Sequence, residues 1–232
     1  MDRKARKIFL EQCRSHFGTT GAFAASSRAL ARAMTMHITP GDAPRRILEA
    51  GPGTGAFTAE IARRMGPFDR LDIYEINEAF ADFLQERLRT DPVFRGLEER
   101  ISLHRSDILR LPRESVFDRV VSGLPLNNFE PECVRTIFDT FLTHLSPGGI
   151  LSYFEYAFVR TLKGWVSGAP ERRRLRGVDE VTSDYLKRFQ VRSDPVVLNL
   201  PPAVAHHLVK PATLEVASRK VAGSLRPAAV VR

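Results

Sequence analysis

Short apolar segments alternate with segments in which apolar residues recur every three or four positions, between about residues 45 and 156. The short segments predict β-strands, and the segments with the longer period predict amphipathic helices. The predicted strands are Arg46–Ala50, Leu71–Glu75, Ile101–His104, Phe117–Ser122 and Ile150–Tyr156, and the predicted helices are Ala56–Met65, Glu78–Arg89 and Glu132–Leu145. Because strands that alternate with helices form a parallel sheet covered on both faces, this part of the chain predicts an α/β fold.

The residues before this pattern predict two helices. Apolar residues of the segment from about Arg3 to Phe17 fall on one stripe, with basic residues elsewhere around the helix. This pattern is typical of a helix at a membrane interface, and it is also compatible with a helix that caps the domain. A second helix begins at a cap formed by Ser26 or Ser27 and runs to Met36.

The residues after the pattern predict a helical insertion and two more strands. Residues 159–188 contain the insertion and a helix that ends near Phe189, and the strands are Phe189–Arg192 and Val196–Leu200. Pro201 ends the second strand, because proline cannot donate to a strand ladder. The predicted organisation is a basic lead-in at 1–44, one domain at 45–210 and a flexible tail at 211–232.

A glycine-rich turn follows the first predicted strand. Gly51, Gly53 and Gly55 lie between this strand and the following helix, where a ligand can approach the backbone closely. Glu75 ends the next strand, where a carboxylate can accept hydrogen bonds from two ribose hydroxyls. The two features predict a nucleotide cofactor, either NAD or S-adenosylmethionine. Glu49 favours S-adenosylmethionine, because an acid suits a methionine ammonium and is out of place beside a pyrophosphate.

From about Arg45 to Tyr156 the chain resembles the class I S-adenosylmethionine-dependent methyltransferases. Glu49–Gly55 and Glu75 look like their first two motifs, Ser106–Ile108 like the segment that contacts adenine, and Phe117–Pro125 like their fourth motif. The resemblance implies a Rossmann-like sheet of seven strands, mostly parallel, with an antiparallel seventh strand. The predicted cofactor-binding residues are Glu49, Gly51, Gly53, Thr54, Gly55, Glu75, Ile76, Asp107, Ile108, Ser122, Gly123 and Leu124.

The fourth motif bears on the methyl acceptor. Methyltransferases that act on base amines carry Asn or Asp and an aromatic residue there, and Ser122–Leu126 contains neither. Gly123–Phe129 is similar to the Gly/Ala-Leu/Val-Pro-x-x-x-Phe motif of the bacterial phospholipid N-methyltransferases. Gly21–Ser27 and Leu198–Ala203 also resemble segments of that family. This resemblance implies methylation of a lipid headgroup amine, with phosphatidylethanolamine as the first choice and an ornithine lipid as the second.

Charge and hydropathy are consistent with that acceptor. The chain has 35 Lys and Arg against 27 Asp and Glu, a formal charge of +8, which favours polyanionic partners. No apolar run approaches the roughly 20 residues of a membrane-spanning helix, and no export signal is recognisable at the N-terminus. The predicted partner is an anionic membrane surface that holds the lipid substrate, and the predicted location is cytoplasmic, on the inner face of the membrane.

The residues that would touch substrate and membrane follow from these expectations. Lys4, Lys7 and Arg14 on the first helix and Arg172, Arg173 and Arg174 in the insertion are the predicted lipid-contacting residues. Tyr153, Glu155 and Tyr156 are the predicted catalytic residues, because the fifth strand ends near the cofactor and the amine must lose a proton before it attacks. No histidine pair has convincing ligand spacing, so no metal is predicted.

Two other functions remain open at this stage. The charge and the fold are also compatible with an RNA methyltransferase of the rRNA adenine type. Phe129 is the one aromatic residue near the fourth motif that could stack on a base, and a nucleic-acid substrate is therefore the less favoured prediction. The third hypothesis is a non-catalytic module that binds a nucleotide or a membrane.

Overall fold

The computed structural model describes residues 27–41, 43–157 and 168–212. Within these ranges the helices are α1 (Arg28–Met34), α2 (Ala56–Arg64), α3 (Glu78–Thr90), α4 (Pro131–His144) and α5 (Ala169–Phe189). The strands are β1 (Arg46–Ala50), β2 (Arg70–Tyr74), β3 (Ile101–His104), β4 (Phe117–Ser122), β5 (Leu145–Tyr156), β6 (Gln190–Val196) and β7 (Ala203–Val209).

The strands form one sheet in the order β3-β2-β1-β4-β5-β7-β6. The pairs from β3 to β5 are parallel, whereas β7 runs antiparallel to both β5 and β6. The predicted α/β class, with seven mostly parallel strands and an antiparallel strand near the C-terminus, is confirmed. The order reverses between β1 and β4, and this is the position at which open α/β sheets bind ligands beyond the carboxyl ends of their strands.

Each face of the sheet is covered by helices. On one face, apolar side chains of α4 and α5 pack against residues such as Leu48, Val120 and Leu151. On the other face, α1, α2 and α3 cover residues such as Ile47 and Val121. Because successive side chains of a strand point to opposite faces, β1 contributes Ile47 and Leu48 to different halves of the core.

The described part of the lead-in is a helix packed on the sheet. Ser27 caps α1 as predicted, since its Oγ accepts a hydrogen bond from the Leu30 amide at 3.1 Å. Leu30 and Met34 are fully buried against the sheet. The predicted helix at 3–17 lies outside the described residues, and so does the predicted tail at 211–232 beyond its first two residues.

The last two strands differ from the prediction. Of the predicted strand Val196–Leu200, Val196 ends β6 and residues 197–200 lie in the connection to β7, which begins after the two prolines. Pro195 lies inside β6, which pairs with β7 alone among the described strands. An edge strand tolerates a missing N–H, so a proline does not mark its end.

Candidate active site

The turn after β1 brings the backbone of two loops together. Gly51 and Gly53 have φ of 67° and 54°, in the region that glycine adopts without strain. A Cβ at Gly123, in the loop after β4, would overlap the carbonyl oxygen of Gly51. Around Gly53 there is open space, with no atom within 4 Å of the position of a Cβ. The turn therefore presents bare backbone to a ligand while its other side packs tightly.

Glu75 lies beside this turn, 3% exposed, at the carboxyl end of β2. Its Oε2 accepts from the Gly53 amide at 3.3 Å and its Oε1 accepts from the Asn77 amide at 2.8 Å. Burial raises the pKa of Glu75, and these backbone N–H groups oppose the shift. Each oxygen retains a second lone pair, so the carboxylate can also accept the two ribose hydroxyls of a nucleoside.

Glu49 is a fully buried acid on the α2 side of the sheet. Neither of its oxygens, nor the hydroxyl of Thr58 near it, makes a hydrogen bond of ordinary geometry among the described residues. Burial raises the pKa of Glu49 to about 8 and the neighbouring Glu75 adds to the shift, whereas the nearby Thr58 opposes it. A buried acid beside a second acid fits a ligand that carries a positive charge, as the methionine end of S-adenosylmethionine does.

A pocket opens beside the turn, at the carboxyl edge of the sheet. Six of the predicted cofactor-binding residues line it: Gly51, Glu75, Ile76, Asp107, Ile108 and Leu124. Asp107 caps the short turn Ile108–Arg110, since its Oδ1 accepts from the Leu109 amide at 2.9 Å.

The other six predicted residues surround the pocket without being part of its lining. Gly53, Thr54 and Gly55 continue the turn, and the Thr54 carbonyl accepts from Arg87 of α3 at 2.6 Å. Ser122 is buried, and its Oγ accepts from the Leu124 amide at 3.4 Å. Gly123 packs on Gly51, and Glu49 lies beneath α2. Their direct contact with the cofactor stays a prediction.

The pocket also contains residues that the motifs did not indicate. Tyr74, Leu109, Cys133 and Ile137 line it, and Phe129, considered above only as a base-stacking residue, lines it as well. Cys133 and Ile137 lie on the buried stripe of α4, so their sequence pattern is that of any core residue. The only feature of the sequence that could have indicated these two residues is their position, because α4 follows the loop after β4.

The three predicted catalytic residues lie at the carboxyl end of β5. Tyr153 is buried, pairs with Ser122 across the sheet, and packs between Phe138 and His206 at ring-centroid distances of 5.1 and 5.2 Å. Glu155 is half-buried on the same face of β5. Tyr156 lies on the opposite face, where burial raises the pKa of its phenol. Their catalytic roles stay predictions.

Arg174 requires a correction, because its guanidinium is engaged within the protein. It forms an ion pair with Glu171 at 2.7 Å and donates to the carbonyls of Phe129 and Asn127 at 2.6 and 2.8 Å. Arg174 therefore holds the loop after β4, which the charge pattern of the sequence could not indicate. Arg172 and Arg173 are exposed on the same helix.

The remaining predictions of this kind concern the membrane and metals. Lys4, Lys7 and Arg14 lie outside the described residues. None of the helices in the described ranges has the length and apolar character to cross a bilayer. Over the same ranges, no group of three or more His, Cys, Asp or Glu side chains could hold a metal ion.

The sheet order, the glycine turn and the buried acids together define a nucleotide-binding enzyme of the methyltransferase type. A family model described as a methyltransferase domain matches residues 47–149. A curated relative from Singulisphaera acidiphila, an ornithine lipid N-methyltransferase, is 31% identical over 199 residues, which cover 86% of this chain and 93% of that protein. The chain belongs to the S-adenosylmethionine-dependent methyltransferases, and the predicted cofactor and N-methyltransferase class are confirmed.

Two other comparisons show how far the likeness extends. An rRNA methyltransferase from Streptomyces thermotolerans is 32% identical over 69% of this chain, but the match covers only 53% of that protein. The crystal structure of an O-methyltransferase from Bacillus cereus has a TM-score of 0.60 at 14% identity, covering 90% of this chain and 92% of that one. At this identity the structural likeness establishes the fold alone.

Proposed function

We propose that the protein transfers the methyl group of S-adenosylmethionine to the primary amine of a membrane lipid headgroup. The acceptor is an ornithine lipid or phosphatidylethanolamine. The observation that carries the proposal is the similarity to the ornithine lipid N-methyltransferase, which covers 93% of that protein. S-adenosylmethionine supplies the methyl as a sulfonium, and the chain supplies the positions of donor and acceptor.

The loop after β4 supports a lipid amine over a nucleic-acid base. Methyltransferases that grip a flat base amine need a side-chain amide or acid in this loop. Ser122 occupies that position, and its hydroxyl is buried against the Leu124 amide. The lining that follows consists of Leu124, Phe129 and Ile137, an apolar wall without a base-pairing edge.

The acceptor amine must be neutral before it attacks the methyl group. Glu155 is the favoured proton acceptor, because it is the carboxylate among the three candidates and lies half-buried at the end of β5. The raised pKa of Tyr156 keeps its phenol protonated near neutral pH, so we assign it a packing or donor role. Glu155→Gln is therefore expected to slow methyl transfer more than Tyr156→Phe.

The test is methylation of defined acceptors by the purified protein with labelled S-adenosylmethionine. Vesicles that contain phosphatidylethanolamine, vesicles that contain an ornithine lipid, and total RNA are offered separately. Label in a lipid is the expected result, and mass spectrometry of lipids from a host that expresses the protein identifies which amine carries it. Unlabelled lipids in both vesicle types would refute the proposal.

A second candidate function is RNA methylation. The match to the rRNA methyltransferase of Streptomyces thermotolerans favours it, although the chain spans only about half of that protein. Label in RNA with inert lipids would establish this alternative.

The proposal includes contact between basic residues and an anionic bilayer surface. Each Lys or Arg near such a surface contributes about 1 kcal/mol to binding. We expect Lys4→Gln, Lys7→Gln and Arg14→Gln together to weaken binding to anionic vesicles while the affinity for S-adenosylmethionine is unchanged. Arg89→Gln, an exposed arginine at the C-terminal end of α3, is the control and is expected to leave vesicle binding unchanged. Equal binding by the triple variant and the wild type would remove this part of the proposal.

A further inference from the structure

The connection between β6 and β7 has an inverted pattern of burial. Val197, Leu198 and Leu200 are 76%, 82% and 84% exposed, the highest values among the large apolar side chains of the described residues. Asn199, the polar residue between them, is only 4% exposed. A soluble hairpin normally places these residue types the other way round, so the exposed leucines need an explanation. We call Val197, Leu198 and Leu200 the apolar tip.

Hydrogen bonds from the buried asparagine fix the tip in this orientation. Asn199 Oδ1 accepts from the Ser27 amide at 2.9 Å, and Asn199 Nδ2 donates to the Pro201 carbonyl at 2.8 Å. The Pro202 carbonyl accepts from the Ala157 amide, at the end of β5, at 2.7 Å. The apolar side chains are therefore presented outward by a loop that is tied to α1 and to β5.

The tip lies at the edge of the sheet that carries the active site. β6 ends at Val196 and β7 begins at Ala203, which pairs with Tyr156 at the carboxyl end of β5. The carboxyl ends of parallel strands share one edge, so the tip and the cofactor pocket belong to the same edge. Phe68, another exposed apolar residue, precedes β2 and therefore lies at the amino edge.

Positive charge adjoins the tip. Ser27, which donates to Asn199, is followed directly by Arg28, and Arg32 lies one turn further along α1. Both arginines are exposed. An apolar projection beside cations is the combination that enters the interface of an anionic bilayer, since the leucines bury in the acyl boundary while the arginines contact the headgroups.

We propose that the apolar tip inserts into the interface of an anionic lipid bilayer and turns the active-site edge of the sheet towards the membrane. The inference rests on the proposed lipid substrate and deepens it, because the lipid amine then reaches the pocket without leaving the bilayer. It assigns membrane contact to residues that are separate from Lys4, Lys7 and Arg14 and from Arg172 and Arg173.

The direct test places a single tryptophan at the tip. Trp165 is the one tryptophan of the chain, and the substitution W165F first gives a background without tryptophan. Leu198→Trp in this background is compared with Phe68→Trp, whose site is 60% exposed at the opposite edge. With vesicles of phosphatidylethanolamine and phosphatidylglycerol, the emission of the Leu198→Trp protein is expected to shift to shorter wavelength and to lose quenching by iodide. Emission of the Phe68→Trp protein is expected to stay unchanged.

Two results would overturn the inference. The first is a tip tryptophan whose emission vesicles do not change. The second is a tip tryptophan already shielded from iodide without vesicles, which would mean that this chain or a second copy covers it. The double variant Leu198→Ser/Leu200→Ser gives an independent readout, with vesicle affinity expected to fall about tenfold or more and S-adenosylmethionine affinity unchanged.

The same measurements separate this inference from the proposed function. A spectral shift without methylation of any lipid amine would retain the membrane contact and reject the lipid substrate. Methylation of a lipid amine without a spectral shift would retain the substrate and reject the role of the tip. A short-chain lipid amine dissolved as monomers should be methylated equally by the wild type and the double-serine variant, because it requires no bilayer contact.

Discussion

At the scale of single residues, the burial of Glu49 makes the stability of the protein depend on pH. Burial holds its pKa near 8, well above the 4.5 of an exposed glutamic acid. Between these values the folded protein keeps a proton that the unfolded chain releases, so the free energy of unfolding falls as pH rises. A cationic ligand beside Glu49 would stabilise its ionised form and would therefore reduce this loss of stability at higher pH.

Glu49→Gln is therefore expected to raise stability and to weaken cofactor binding. Near pH 7 the gain is on the order of 3 kcal/mol, and it disappears as pH falls towards 4.5, where the wild-type side chain is also protonated in the unfolded state. Thermal unfolding between pH 4.5 and 8 measures the gain, and calorimetry with S-adenosylmethionine measures the loss of affinity. Glu86→Gln, at an exposed acid of α3, is the matched control and should follow the wild type. A variant that binds the cofactor as tightly as the wild type would show that Glu49 has only a structural role.

At the scale of elements, α5 positions the loop that follows β4. Arg174 links α5 to the carbonyls of Asn127 and Phe129, and Gly177 of the same helix lies so close to α4 that a Cβ would be 2.6 Å from Pro131 Cγ. Phe129 lines the pocket. Arg172 and Arg173 are exposed whereas Arg174 contacts the loop after β4, although the three arginines are consecutive in the sequence.

Substitution of Arg174 is expected to affect stability and turnover together. Arg174→Ala removes the Glu171 ion pair and leaves two carbonyls without their donor, which should cost about 2 kcal/mol of stability and slow methyl transfer. Arg174→Lys should rescue little, because an ammonium cannot reproduce the planar fork of the guanidinium. Arg173→Ala is the control and should leave the melting temperature unchanged. Thermal unfolding and turnover with a soluble acceptor measure both effects, and equal behaviour of the Arg173 and Arg174 variants would contradict the assignment.

At the scale of the whole molecule, a buried cluster ties the segment after α1 to the far side of the sheet. The rings of His37 and His207 meet edge to face at 4.6 Å, and His207 Nδ1 lies 2.8 Å from Ser152 Oγ in β5. His207 Nε2 is 3.4 Å from Asp194 Oδ2 of β6 and makes no hydrogen bond among the described residues. Burial lowers the pKa of His207 to about 4 and also lowers that of His37. Both rings are therefore neutral near pH 7.

This cluster predicts a loss of stability in mild acid. The unfolded chain takes up a proton at His207 near pH 6.5, whereas the folded protein resists until about pH 4, so stability is lost as pH falls through this range. The contribution is on the order of 3 kcal/mol, and His37 acts in the same direction. Because an amide does not titrate, the melting temperature of His207→Asn should rise relative to that of the wild type as pH falls from 7 to 4.5, and the opposite contribution of Glu49 is common to both proteins. Parallel curves for the variant and the wild type would exclude His207 as the cause.

The residues that the sequence identified well belong to local patterns. The bounds of β1, β3 and β4 agree with the prediction, because each is a short apolar run followed by glycine or polar residues. Gly51 and Glu75 were recognised because a turn and a strand end need these residue types whatever surrounds them. This local chemistry favoured S-adenosylmethionine over NAD, and the resemblance of the motifs to a known family implied the methyltransferase class.

The errors and omissions concern contacts between distant residues. The sequence placed a strand directly before Pro201 because it does not show which segments pair, and β7 begins only after both prolines. Arg174 resembled its exposed neighbours because its carbonyl partners lie 45 and 47 residues away. Cys133 and Ile137 had the pattern of ordinary core residues until α4 was placed beside the pocket. By itself the sequence determined the alternation of strands and helices from β1 to β5, the glycine-rich turn and the acid after β2, since these depend on neighbouring residues. Only the tertiary structure decided that Arg174 is engaged within the protein and that the apolar tip shares an edge with the pocket, because burial and proximity arise when the segments pack together.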